Sequence, residues 1–195
     1  MKFPTAFVDQ VTYDVTMPFI RMMAGPVDYT QGAMHNASRE NFRAIHDEPM
    51  SQGTRCRQLA EYIVFDSPLN MLCDSPSSYE REHECTSFIA GIPTVWDHTT
   101  VLCGKVSEYI ATARQKGNIW YVGAMTNWEE CTIEIDLSFL GAGDFKAEIF
   151  RDGVNAYRYA RDYKKELIEI PAERFGWHPV EDLPPEFINN VYIRS

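Results

Sequence analysis

The sequence predicts a mixed fold, an α/β segment up to about residue 95 followed by an all-β segment. Three observations carry this. Before residue 96, short apolar runs alternate with helical stripes. After it, short stretches alternate apolar and polar residues and are punctuated by turn residues. The 195 residues are also 45% hydrophobic and 13% aromatic, which suits a packed core and not a disordered chain.

In the first segment, Phe19–Ala24 (FIRMMA) is an apolar run ended by Gly25-Pro26 and reads as a buried strand. The polar stretch 25–53 that follows has the length of a lid or binding loop. Residues 54–65 place Leu59, Ala60, Ile63 and Val64 on one helical stripe, limited by Pro68. Asn70–Cys73 reads as a second short buried strand, and Tyr79–Ile89 as a second helix. Strand, loop, helix, repeated once, is the order of a parallel α/β structure.

In the second segment, residues 106–115 and 119–127 form a hairpin pattern with Lys116-Gly117-Asn118 at its tip. Residues 131–140 (CTIEIDLSFL) predict a strand with Ile133, Ile135 and Leu137 on one face and Thr132, Glu134 and Asp136 on the other. Residues 145–153 and 166–170 supply two more strands. About five antiparallel strands predict a β-sandwich, with Trp120, Val122 and Ile149 in its core. Pro179, Pro184 and Pro185 break up the tail, which is expected to be mostly irregular.

A net charge of −10 disfavours nucleic acid and anionic membrane surfaces as partners, because phosphates need Lys and Arg. No apolar run is long enough for a membrane span. MKFPTAFVDQ lacks the apolar core of a signal peptide, which places the protein in the cytoplasm unless a leader lies upstream. The five cysteines include no CxxC pair and are expected as free thiols, a Cys73–Cys85 bridge being the alternative. His35, His46, His83 and His98 lack metal-ligand spacing, so no metal ligand is assigned. Trp96, Trp120, Trp128 and Trp177 fit core packing better than sugar stacking. Glu80, Glu82 and Glu84 read as a solvated helix face.

Five strings carry a resemblance: VTMPFIRMMAGPVDYTQGAM (15–34), TRCRQLAEYIVFDSPLNMLCDSP (54–76), IPTVWDHTTVLCGKVSEYIATAR (92–114), WYVGAMTNWEECTIEIDLSFL (120–140) and FKAEIFRDGVNA (145–156). In unbroken order they resemble glycoside hydrolase family 97. The resemblance implies that residues 1–95 are the last two βα units of a (β/α)8 catalytic barrel and that 96–195 are a C-terminal antiparallel β-sandwich. Phe19–Ala24 would then be the seventh barrel strand and Asn70–Cys73 the eighth. The implied activity is that of a retaining α-glycosidase, an α-glucosidase or α-galactosidase acting on oligosaccharides. Such enzymes use two carboxyl groups flanking the bond to be cut. The resemblance places both upstream of Met1, so no catalytic residue is assigned and the chain alone is expected to be inactive. The inverting branch has a catalytic Glu where this chain has Thr12. A threonine is no carboxylic acid, so the resemblance is to the retaining branch. Family members bind calcium, with ligands mostly upstream, and none is expected for this chain alone. The family pattern implies a periplasmic or secreted protein. Residues 173–187 depart from that pattern, so no final sandwich strand is expected there.

Asp28, with Tyr29, and Asp74 follow the two predicted strands, where barrel enzymes place active-site residues. One reading has them lining a sugar pocket. The other has the two aspartates capping turns or helices, as in DSP. The alternative function is a non-catalytic β-sandwich module for carbohydrate binding or assembly.

Overall fold

A computed structural model describes residues 8–170 apart from 46 and 142, and the backbone of 188–194. It opens with helix α1, Gln10–Ile20, capped by Asp9, whose carboxylate accepts from the Thr12 amide at 3.1 Å. Val11 and Val15, one turn apart, point into the core. This corrects the strand read at Phe19–Ala24. Those residues are the end of α1 and a single 3-10 turn, Met22–Ala24. A short apolar run has no period of its own, so it cannot tell a strand from the end of a helix.

The parallel unit is present but displaced along the chain. β1 (Thr30–Gln31) pairs in parallel with β4 (Met71–Leu72), and β2 (Asn36–Ala37) pairs with β3 (Ser51–Gln52). The strand read at Asn70–Cys73 therefore forms, although Met71 and Leu72 are exposed, not buried. Helix α2, Arg55–Val64, lies where the stripe places it, and every one of its residues is buried, polar ones included. The helix read over Tyr79–Ile89 is two, α3 (Pro76–Arg81) and α4 (His83–Gly91), parted at Glu82, which leaves the helical region.

The second half is one antiparallel sheet of six strands: β5 (His98–Lys105), β6 (Tyr109–Lys116), β7 (Ile119–Thr126), β8 (Phe145–Asp152), β9 (Tyr163–Ile170) and β10 (Ile188–Arg194). Their spatial order is β5-β6-β7-β10-β8-β9. The predicted hairpin is β6–β7, with Lys116 opposite Ile119 and Gly117 at positive φ in the two-residue loop.

Two expectations change here. The predicted sandwich is, among the described residues, a single sheet, with α2 packed against β7 on one side. Residues 131–140 form no ladder and end in a 3-10 turn, Ser138–Leu140. The place beside β7 is taken by β10, from the tail where the sequence predicts irregular chain. The alternation in 131–140 still reports burial. Ile135, Leu137, Phe139 and Leu140 lie on Trp120, Val122, Ala147 and Ile149 and cover the sheet face away from α2. Residues 171–187, including Trp177, and His46 lie outside the described residues.

Candidate functional site

Between α1, β1, α2 and the 42–52 loop lies a cavity of about 890 Å³. Asp14, Tyr29, Gln31, Gln52, Gln58 and Glu61 form its polar wall. Asp14 and Glu61 are 1% and 0% exposed. That burial is costly for a carboxylate unless it is paired. Arg57, one helical turn before Glu61, is the partner of both. Its Nη1 lies 2.8 Å from Glu61 Oε1, and its Nη2 donates to Asp14 Oδ2.

Further donors reach both carboxyl groups. The Gln58 amide donates to both Glu61 oxygens at 3.1 Å. The Tyr29 hydroxyl and the Gln10 amide both donate to Asp14 Oδ1. Burial, and then the charge of Asp14, push the Glu61 carboxyl well above the usual carboxylate range. Burial and the same Asp14 charge raise the Tyr29 phenol. The arrangement can hold polar groups in fixed orientation on the cavity wall and can store a proton.

Of Asp28, Tyr29 and Asp74, the residues read as lining a sugar pocket, Tyr29 reaches this cavity, its ring edge-on to Phe65 at 4.9 Å between centroids. Asp28 is exposed and does not line it. Asp74 accepts from the amides of Met34 at 2.8 Å and Ser75 at 2.7 Å, holding the turn that joins β4 to α3. Ser75, not Asp74, caps α3. The hydroxyl of Thr12 donates to Asp9 Oδ2 at 3.0 Å and helps seal the start of α1.

Sequence reading missed Asp14, Arg57 and Glu61. One signal was available: Arg57 and Glu61 stand at i, i+4 in the same short helix as the Leu59–Val64 stripe. Asp14 carried none, because α1 was not read as a helix.

The described residues do not fit a calcium ion. No three His, Cys, Asp or Glu side chains gather among them as a cation site. The Asp14 and Glu61 oxygens are already occupied by Arg57, Gln58, Tyr29 and Gln10. No two of the five cysteines are joined by a disulfide, so Cys73 and Cys85 are not bridged. No helix among the described residues is long and apolar enough to cross a membrane.

The model of the glycosyl hydrolase 97 C-terminal domain, described as an oligomerisation domain, matches residues 95–175. A retaining α-galactosidase of Bacteroides thetaiotaomicron is 61% identical over 170 residues, which is 87% of this chain and 26% of that protein. Residues 95–175 match the C-terminal domain of glycoside hydrolase family 97. The chain corresponds to a C-terminal portion of such proteins, and its antiparallel sheet fits a β-rich C-terminal domain. A probable retaining α-galactosidase of Streptomyces bingchenggensis is 28% identical over 146 residues, 75% of this chain and 21% of that one. The family 97 enzyme of Pseudoalteromonas sp. strain K8, solved with acarbose and as an E480Q variant with panose, superposes with a TM-score of 0.74 at 29% identity. That match covers 94% of this chain and 28% of the solved one. The chain thus spans about a quarter of the length of the relatives it matches.

Proposed function

We propose that this chain is the C-terminal portion of a retaining α-galactosidase that hydrolyses α-galactosidic bonds of oligosaccharides. The observation that carries the reading is the 61% identity to a retaining α-galactosidase over 87% of the chain. An α-glucosidase is the second reading, supported by the 29% identity to the family 97 enzyme solved with panose and acarbose. Retention needs a nucleophile and an acid/base flanking the bond. In this reading both come from the part of the enzyme that precedes residue 1. Thr12, where the inverting branch has a catalytic Glu, spends its hydroxyl on Asp9.

Residues 1–95 then close a (β/α)8 barrel and 96–195 form the C-terminal β-domain. The parallel pairing of β1 with β4 across α2 supports the first half of that division. Tyr29 offers an aromatic edge and a hydroxyl on the cavity wall, the chemistry by which a sugar is held. Calcium, where the whole enzyme uses it, is held by residues outside the described ones.

The test is a chimera in which the 170 residues of this chain that match the Bacteroides enzyme replace the corresponding segment of that enzyme. It is expected to cleave nitrophenyl α-galactoside in preference to the α-glucoside, with retention. Purified 1–195 is expected to cleave neither. A folded chimera that prefers the glucoside sinks the galactosidase reading, and turnover by 1–195 alone sinks the assignment of the carboxylates upstream.

A further inference from the structure

Asp14 and Glu61 present an imbalance of charge. Both carboxyl groups are buried, and each takes one nitrogen of the same guanidinium. Ionising both would leave one net negative charge out of water. The other titratable groups near Glu61 do not supply a second cation. They are Tyr62 on α2, Tyr29 just before β1 and Cys73 just past β4, all neutral. Arg43 lines the cavity rim, but its guanidinium donates to the Glu40 and Phe42 carbonyls at 2.8 and 2.7 Å. Among the described residues, Arg57 is the one cation bonded to either carboxyl.

The hydrogen bonds say which carboxyl carries the charge. Asp14 receives three donors, from Tyr29, Gln10 and Arg57. Glu61 receives Gln58 and Arg57 and lies against Asp14. Charge is best placed where the most donors converge. We propose that Asp14 and Glu61 share a single proton, Glu61 holding it as a neutral acid that donates to ionised Asp14, so that the Tyr29 wall of the cavity is set in place only while that proton is bound. Asp14 orients the Tyr29 hydroxyl, so a second charge beside it disturbs the acceptor that holds the ring. Such a pair titrates as a unit, not as two independent acids.

The direction with pH follows. Burial raises the Glu61 carboxyl above its unfolded value of 4.5. Its contribution to stability is therefore full below pH 4.5 and lost as pH rises towards the folded value. This inference is independent of the reaction the whole enzyme performs.

The experiment compares Glu61→Gln with Asp14→Asn in the 195-residue chain. Glutamine mimics the neutral acid in shape and in its donor. Near pH 4.5, where the Glu61 contribution is intact, Glu61→Gln is expected to melt within about 2 °C of the parent and Asp14→Asn several degrees lower. Between pH 5 and 9 the parent's melting temperature should fall relative to that of Glu61→Gln. Infrared spectra of the parent at pH 7 should show a protonated-carboxyl band that Glu61→Gln lacks. The band decides if either variant fails to fold or the melting data conflict: its absence from the parent, or its persistence in Glu61→Gln, overturns the proposal.

Discussion

The guanidinium of Arg114, on β6, donates through Nη2 to the carbonyl of Val64 at 3.0 Å, at the very end of α2. Its Nε donates to the Ile63 carbonyl at 2.5 Å, and its plane lies 5.7 Å from the Trp96 ring. The last carbonyls of a helix have no partner within it, and a cation there also meets the negative end of the helix dipole. A sheet residue thus finishes the helix that packs on the sheet. Arg114→Met should cost about 2–3 kcal/mol, because two buried carbonyls lose their donor. Arg114→Lys should recover only part of this, since one ammonium cannot reproduce the fork. Urea unfolding reads both, and an unchanged midpoint for Arg114→Met would show that water takes over the capping.

Gly123, on β7, lies directly under α2. A Cβ there would stand 2.9 Å from Ile63 Cβ and 3.1 Å from the Ala60 carbonyl oxygen. Neither is the end of a flexible side chain, so Gly123→Ala should cost about 1–3 kcal/mol through overpacking. Ile63→Ala keeps the Cβ but removes Ile63 Cγ2, which would stand 3.1 Å from the new methyl, and opens a gap into which α2 can settle. The double variant should therefore lose less than the sum of the singles. Strict additivity would mean that α2 and β7 are spaced more widely than described.

Aspartate substitutions distinguish the sheet from the segment laid over it. Ile149 is 2% exposed on β8, and Ile149→Asp should prevent folding by burying an unpaired charge. Ile135 is half-buried in the stretch without a ladder. Ile135→Asp should leave a folded sheet with a lower melting temperature. Circular dichroism at increasing temperature checks the ordering. Equal loss in the two variants would place 131–137 among the strands after all.

The acid limb of stability should owe part of its slope to Glu166. Arg151, at 2.8 Å, and Lys164 hold its carboxylate down to about 2. A lowered carboxylate contributes stability that is present above its unfolded value of 4.5 and lost as pH falls towards 2. Glu166→Gln should lower the melting temperature near pH 7 and flatten the curve over that window, the two proteins converging as pH falls towards 2. A curve of unchanged steepness below pH 4.5 would assign the slope to other carboxylates.

What the sequence by itself determined is the part in which residue type and period agree. Helix α2, the β6–β7 hairpin and strands β8 and β9 follow from a 3.6-residue stripe, from strict alternation and from a Gly-Asn turn, all local properties. The family followed too, because its strings run through the chain in one order. Where the local signal was ambiguous, the tertiary structure decided. Phe19–Ala24 has the composition of a strand but continues a helix begun at Gln10. Residues 131–140 alternate like a strand, yet they only cover the sheet, because Ile188–Arg194 holds the hydrogen-bonding place next to β7. A ladder position depends on which edge is still free, and no segment carries that information alone. The Asp14–Arg57–Glu61 group was hidden for a related reason. Whether a carboxylate is buried, and whether it keeps its proton, depends on what α1 and β1 bring opposite α2, and that exists only once the chain has folded.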